Sequence, residues 1–214
     1  MFLALLRTQW RWCRTIILPG AVLLAAVPFL MLRDVTAAMI PMEVMAVVRA
    51  WSPLFPGLAA LLGLLVALAT WAPDRRGQHI HALTLPVARW RYILFRFGGG
   101  ILLLGIPILA FALAAWLAVQ WTPIPDGLAA YPWSLAFRFA LGTSLAFAIF
   151  FAILSGTPRT AAIILGVLVA VAACDIVLKL FLPQTGLAND LLGVLLTGPG
   201  PLALFAGRWM LIDV

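Results

Sequence analysis

Long uncharged apolar stretches alternate with short clusters of charged residues along the chain. A helix needs roughly 20 mostly apolar residues to cross the ~30 Å hydrocarbon core of a bilayer. An unpaired charge at mid-bilayer costs at least about 2.5 kcal/mol, so charged residues bound each span. The pattern therefore predicts an all-α integral membrane protein with about five transmembrane helices, at residues 15–32, 51–73, 98–120, 137–158 and 160–182.

The apolar stretch near the C-terminus, residues 187–207, has a different pattern. It contains Gly198-Pro199-Gly200-Pro201, and these residues interrupt any continuous helix. Irregular backbone at membrane depth must be covered by protein or water. We therefore expect a broken segment that is re-entrant or interfacial at the outer leaflet, within a single transmembrane domain that comprises residues 1–214.

The first residues of the chain have a helical pattern of their own. At about 100° per residue, the arginines of residues 2–14 fall in one narrow sector, next to an apolar face that includes Trp10. This pattern predicts an interfacial helix with Trp10 at the polar boundary and the arginines on headgroup phosphates. The arginines are Arg7, Arg11 and Arg14. Such a helix serves either as a simple anchor or as a mechanical elbow.

The distribution of arginine indicates how the chain is oriented. Nine arginines lie on one side of the predicted spans: Arg7, Arg11, Arg14, Arg75, Arg76, Arg89, Arg91, Arg96 and Arg159. On the opposite side, Arg33 and Arg49 are balanced by Asp34 and Glu43, and Arg138 stands at the edge of the fourth span. The positive-inside rule therefore predicts a multi-pass protein of the cell (inner) membrane with a cytoplasmic N-terminus.

Composition supports the lipid bilayer as the surroundings of this chain. Of its 214 residues, 65% are apolar and 10% are charged, and the mean hydropathy is +1.13. Soluble domains are about half apolar and a quarter charged. The formal charge of +7 comes from short clusters between apolar runs, which suits anionic headgroups better than a nucleic-acid groove. We expect no nucleic-acid partner.

The longest connection on the predicted cytoplasmic side separates the second span from the third. Pro86 divides this connection into two parts. Arg76–Leu85 can form a short helix on the membrane surface, and Val87–Phe97 can form a basic, aromatic helix that continues into the third span. Proline suits the first turn of that second helix, where a missing N–H has no consequence. A loop that only sets the orientation is the alternative.

The residues of this connection resemble a known loop. Asp74-Arg-Arg-Gly77, then His81-Ala-Leu-Thr-Leu-Pro-Val-Ala-Arg89, then Arg91-Tyr92 is similar to the first cytoplasmic loop of ABC-2 type transporter permeases. The resemblance implies a coupling helix that contacts a separate ABC ATPase subunit. Its contact residues are Arg76, Gly77, Gln78, His79, Ile80, His81, Ala82, Leu83, Thr84 and Leu85.

The same resemblance implies the remaining parts of a transporter. A second permease subunit would form a homo- or heterodimer with this chain, export would be the usual direction, and ATP and Mg²⁺ would bind to the partner ATPase. Members of the family usually have a sixth span. The given sequence stops after the broken segment, either because the protein has five spans or because more sequence follows.

Motifs that would indicate chemistry by this chain itself are absent from the sequence. It contains no G-x-x-x-x-G-K-[ST] phosphate loop, no H-E-x-x-H zinc helix and no G-x-S-x-G nucleophile turn. Cys13 and Cys174 fall on opposite predicted faces, and His79 and His81 do not share a helical face. We expect no catalytic residue, metal or cofactor in this chain. A lipid-modifying membrane enzyme and a non-transporting assembly factor remain as alternatives.

One pair of charged residues lies inside a predicted span. Asp175 and Lys179 are four residues apart in the fifth span, so they can pair on one helical face. Lys179 can extend to the interface and draw Asp175 into a local ion pair. The other interpretation is that the pair lines a polar path or binds a partner helix.

Overall fold

The computed structural model describes most of the first three quarters of the chain and short pieces of the rest. The described residues are 2–36, 38–76, 88–156, 159, 162–164, 166–167, 169–171, 173–174, 203–206 and 209–213. The chain forms two compact units. One comprises Met1–Phe151 with Arg208–Val214, and the other comprises Ala152–Gly207.

The described residues are mostly helical. Five helices are α1 (Phe2–Leu32), α2 (Pro41–Trp51), α3 (Leu54–Arg76), α4 (Arg89–Trp121) and α5 (Pro132–Leu154). Four stretches within the described residues are long and apolar enough to cross a membrane: Phe2–Leu32, Pro41–Ala72, Trp90–Trp121 and Pro132–Leu154. These helices indicate a multi-pass membrane protein, and they include most of the first four predicted spans.

Helix α1 joins two segments that the sequence pattern separated. The predicted interfacial helix 2–14 and the predicted span 15–32 form one helix without a break. The backbone stays helical through the junction, where the Thr15 hydroxyl donates to the carbonyl of Trp12 at 3.2 Å. At 1.5 Å per residue the helix is about 46 Å long, well beyond the ~30 Å of a hydrocarbon core. Its first turns therefore extend past the charge-free span.

Helices α2 and α3 follow each other with only a short turn between them. Pro41 takes the first position of α2, and the Glu43 carboxylate accepts a hydrogen bond from the N–H of Ile40 at 3.4 Å. Negative charge and proline are both favourable in a first helical turn. After the turn, α3 contains most of the predicted second span 51–73 and continues to Arg76.

Helix α4 contains the third span predicted at 98–120 and, ahead of it, most of the basic, aromatic segment that was predicted to continue into that span. It runs without interruption from Arg89, through the basic aromatic residues, to Trp121. A turn at Asp126-Gly127 then reverses the chain, and Gly127 has a φ of +89°, a conformation that favours glycine. Helix α5 starts a few residues earlier and ends a few residues earlier than the predicted fourth span 137–158.

Aromatic side chains form the core of the larger unit. Phe111 of α4 packs on Phe55 of α3 and Phe139 of α5, with ring centroids 5.9 and 4.6 Å apart. All three are fully buried. Close backbone approach accompanies this packing: a Cβ placed on Gly63 of α3 would lie 2.7 Å from the backbone nitrogen of Phe147 in α5. Only glycine allows these two helices to come so close.

A small ribbon attaches the last described residues to this unit. Strand β1 (Ala129–Ala130) pairs antiparallel with β2 (Ile212–Asp213), with Ala130 opposite Ile212. The N–H of Tyr131 also donates to the carbonyl of Leu211 at 2.8 Å. Trp209, next to the ribbon, is buried. The chain after α5 therefore returns to the loop that precedes α5.

The predictions for the C-terminal quarter fall mostly outside the described residues. Between 159 and 174 each described residue is helical, but the fifth span at 160–182 stays a prediction. Asp175 and Lys179 lie outside the described residues. In the segment 187–207, the described part is the four-residue helix Ala203–Ala206.

Candidate functional site

Arg96 occupies an unusual position for an arginine in an apolar helix. It is only 3% exposed and is the last charged residue of α4 before the charge-free stretch Phe97–Trp121. Its guanidinium carbon lies 5.1 Å from the ring centroid of Trp71 in α3 and 5.3 Å from that of Tyr92. Arg96 Nη1 also donates to the hydroxyl of Tyr92. Two aromatic faces and a hydroxyl thus surround the buried charge.

Gln9 connects the first helix to the same place. Its side-chain amide is 2% exposed, and Nε2 donates to the backbone carbonyl of Arg96 at 2.8 Å. A Cβ on Gly99 would overlap Gln9 Oε1, so the amide rests directly on the α4 backbone. In the part of the chain that the structure describes, Gln9 Oε1 and Trp71 Nε1 have no hydrogen-bond partner. Burying polar atoms costs free energy unless they find partners, so these two atoms mark the cluster as a polar site within an apolar bundle.

A further contact between α1 and α3 lies one turn along from Gln9. The Cys13 sulfur is 3.9 Å from the hydroxyl oxygen of Thr70, and both residues are fully buried. We use the name Arg96 cluster for Arg96, Tyr92, Trp71, Gln9, Cys13 and Thr70. Through this cluster α1, α3 and α4 meet in one small volume.

The Arg96 cluster lies close to the two helix ends that flank the predicted coupling segment. Helix α3 ends at Arg76, five residues after Trp71, and α4 begins at Arg89, seven residues before Arg96. At 1.5 Å per residue these separations are about 8 and 11 Å. Of the predicted ATPase-contact residues, Arg76 is described, and it is the last residue of α3. Gly77, Gln78, His79, Ile80, His81, Ala82, Leu83, Thr84 and Leu85 lie outside the described residues.

The predicted basic face of the N-terminal segment is present on α1. Arg7, Arg11 and Arg14 are exposed, and Trp10 is half-buried. The opposite face packs against protein: Phe2 contacts Phe95 of α4 with ring centroids 5.9 Å apart, and Gln9 is buried. These turns are therefore attached to the bundle as well as exposed on one side.

Sequence reasoning missed the members of the cluster. By sequence pattern Arg96 is only one of the nine arginines that set the orientation, and Gln9 is one residue of the predicted interfacial helix. A signal does exist for Gln9, because this amide lies on the helix face opposite the arginines, among apolar residues. No signal in the sequence associates Gln9 with Trp71 or Arg96, since these contacts depend on how three helices pack.

Another arginine–tryptophan contact lies at the other end of the bundle. The guanidinium carbon of Arg138, at the start of α5, is 5.2 Å from the ring centroid of Trp209. Arg138 is half-buried, whereas Trp209 is buried. This contact holds the segment that carries β2 against α5.

Comparison with known proteins adds no relative. No family model matches the chain, and neither does any curated protein or solved structure. Within the described residues, no three His, Cys, Asp or Glu side chains form a group that could hold a metal ion. The groups of the Arg96 cluster join α1, α3 and α4 through hydrogen bonds and cation–π contacts.

Proposed function

We propose that this chain is the permease subunit of an ABC-2 type ATP-driven transporter of the cell (inner) membrane, with its N-terminus in the cytoplasm. It would work as a homo- or heterodimer, and export is the direction we propose. A separate ATPase would bind Arg76–Leu85. The observation that carries the proposal is the Arg96 cluster, which joins α1 to the two helices that flank this segment.

A mechanical argument connects the cluster with transport. A membrane subunit can use ATP-driven motion only through an element that is firmly joined to its spans. The Arg96–Trp71 contact joins the end of α3 to the start of α4, and the Gln9 hydrogen bond joins both to α1. A desolvated cation–π contact contributes about 2 kcal/mol. A push on residues 77–87 would therefore move three helices together instead of bending one helix end.

The charge distribution supports the proposed orientation. Arg7, Arg11 and Arg14 are exposed on α1, at the same end of the bundle as the Arg96 cluster. Helix α3 ends and helix α4 begins at this end of the bundle. Both the basic turns of α1 and the proposed contact segment would therefore face an ATPase in the cytoplasm.

Co-purification tests the proposed contact. The tagged chain is purified from its native membranes, and ATPases that carry a phosphate-loop motif are identified by mass spectrometry. We expect the unaltered chain to retain such an ATPase. Leu83→Asp should reduce its recovery at least tenfold, because a carboxylate would be placed in the proposed apolar contact.

The matched control introduces the same charge at the other end of the bundle. Tyr131→Asp changes an exposed residue beside the β1–β2 ribbon and should leave ATPase recovery unchanged. Both variants must appear in the membrane fraction in equal amounts. Absence of any ATPase from the unaltered preparation would contradict the proposal, and so would equal recovery with Leu83→Asp.

A further inference from the structure

An apolar groove runs along the membrane-spanning part of the bundle, between α1 and α3. It has a volume of about 320 Å³ and is lined by α1 residues from Thr15 to Leu24 and by α3 leucines from Leu58 to Leu65. The floor is closed, since a Cβ on Gly20 would lie 3.5 Å from Leu62 Cδ1 and Leu62 is buried. The groove is open along its side.

The rims of the groove are exposed leucines. Leu23 of α1 is 54% exposed and Leu61 of α3 is 50% exposed. Both lie within charge-free helical stretches that are long enough to cross a membrane, so the groove opens toward lipid. An open apolar groove in this position is filled by hydrocarbon, because a void would lose the dispersion contacts of its lining.

The length of the groove distinguishes a lipid chain from a partner helix. From Thr15 to Leu24 the rise along α1 is about 14 Å, which is half of the ~30 Å hydrocarbon core. The groove starts directly after Arg14, where the charge-free part of α1 begins, so it occupies the leaflet on the N-terminal side. A transmembrane helix packs across both leaflets, whereas an acyl chain occupies one.

Positive charge lies beyond the end of the groove where a headgroup would be. Arg11 is exposed and precedes Thr15 by four residues, so it continues the Thr15–Pro19–Leu23 edge of the groove by one turn, about 6 Å. A guanidinium matches the geometry of a phosphate with two parallel hydrogen bonds. An arginine at this surface also favours a lipid with net negative charge.

We propose that the groove between α1 and α3 binds one acyl chain of an anionic phospholipid from the leaflet on the N-terminal side, with the lipid phosphate on Arg11. The apolar packing provides retention, and the arginine provides the preference for an anionic headgroup. The site depends on the embedding of these helices in a membrane and not on transport. Loss of the ATPase contact would leave it intact.

Native mass spectrometry measures this binding directly. The full chain, freed of lipid in detergent, is titrated with phosphatidylglycerol or with phosphatidylcholine that carries the same acyl chains. We expect one tightly bound phosphatidylglycerol per chain. Half-maximal binding should need about fivefold less phosphatidylglycerol than phosphatidylcholine, because one arginine near the surface contributes about a fivefold preference for an anionic lipid. Equal binding of the two lipids would overturn the assignment of the headgroup.

Two variants separate the groove from the charge. Gly20→Phe places a ring in the groove and should weaken binding of both lipids at least tenfold. Its matched control is Gly105→Phe in α4, where an added Cβ meets no atom within 4 Å, and this variant should bind as the unaltered chain does. Arg11→Gln should keep the bound lipid and lose the preference for phosphatidylglycerol.

A second groove variant tests the same prediction in case Gly20→Phe does not fold. Leu61→Trp enlarges an exposed rim residue and leaves the floor unchanged, and it too should weaken binding of both lipids. Each variant is compared by circular dichroism and by its elution volume. Undiminished lipid binding by a folded Gly20→Phe or Leu61→Trp would overturn the proposal, and so would an equal loss in Gly105→Phe.

Discussion

The two ends of the helix bundle use the same pair of residue types in different surroundings. At one end the Arg96 guanidinium lies 5.1 Å from the Trp71 ring, and at the other end the Arg138 guanidinium lies 5.2 Å from the Trp209 ring. Arg96 is buried among three helices, whereas Arg138 is half-buried and faces the segment that carries β2. The distances are alike, and the environments are not.

The difference shows that geometry alone does not determine what such a contact contributes. A cation over an aromatic ring contributes about 0.5–1 kcal/mol at an exposed site and about 2 kcal/mol or more when water is excluded. The buried contact also carries a larger penalty if it is broken, because its partners have no access to water. We therefore expect the Arg96 end to be the rigid end of the bundle.

The largest effect in this comparison is expected from Arg96→Gln. The variant loses two cation–π contacts and the hydrogen bond to Tyr92, so its free energy of unfolding should fall by about 3 kcal/mol. Titration with sodium dodecyl sulfate in mixed micelles, followed by circular dichroism, measures the change. A fall smaller than that of Arg138→Gln would contradict the assigned difference between the ends.

An intermediate effect is expected from Gly99→Ala. Its Cβ would overlap the Gln9 amide, so the variant must displace Gln9 or separate α1 from α4, at a cost of about 1–3 kcal/mol. The adjacent Gly98→Ala is the matched control, because an added Cβ there meets no atom within 4 Å. It should be neutral or slightly stabilising, since alanine favours helix. The same titration in detergent distinguishes the two, and equal stability would show that Gln9 does not rest on α4.

The smallest effect is expected from Arg138→Gln. The half-buried guanidinium stacks on the Trp209 ring where water still reaches it, so the loss of this contact should cost about 0.5–1 kcal/mol. Limited proteolysis of the C-terminal residues is the more sensitive measurement, because the contact holds the segment around Trp209. We expect faster cleavage there while the helices stay protected. A collapse of the whole bundle would contradict a local role for this contact.

Sequence reasoning identified most of the helical framework. The four described membrane helices coincide with predicted apolar stretches. Each charged residue has its own cost of burial in lipid, so the positions of the charges along the sequence indicate where the spans lie. The differences lie at the ends of helices. Residues 2–14 and 15–32, which the pattern assigned to an interfacial helix and a span, form one continuous helix, because a change from polar to apolar residues is not a helix stop signal.

The candidate site was far less accessible from the sequence. Gln9, Trp71 and Arg96 come from three separate parts of the chain, and each alone has an ordinary explanation at a membrane boundary. The sequence pattern does not predict the contact between Trp209 and Arg138 either. Such pairs are visible only when the packing of helices is known, because no spacing rule connects residues of different helices.

The sequence by itself determined that the chain is helical, lies in a membrane and carries its arginines mainly at one end, since each of these properties follows from the solvation of single residues. Only the tertiary structure decided that one of those arginines is buried between aromatic rings and joined to Gln9. That outcome depends on Gly99, where the absence of a side chain leaves room for the Gln9 amide against α4.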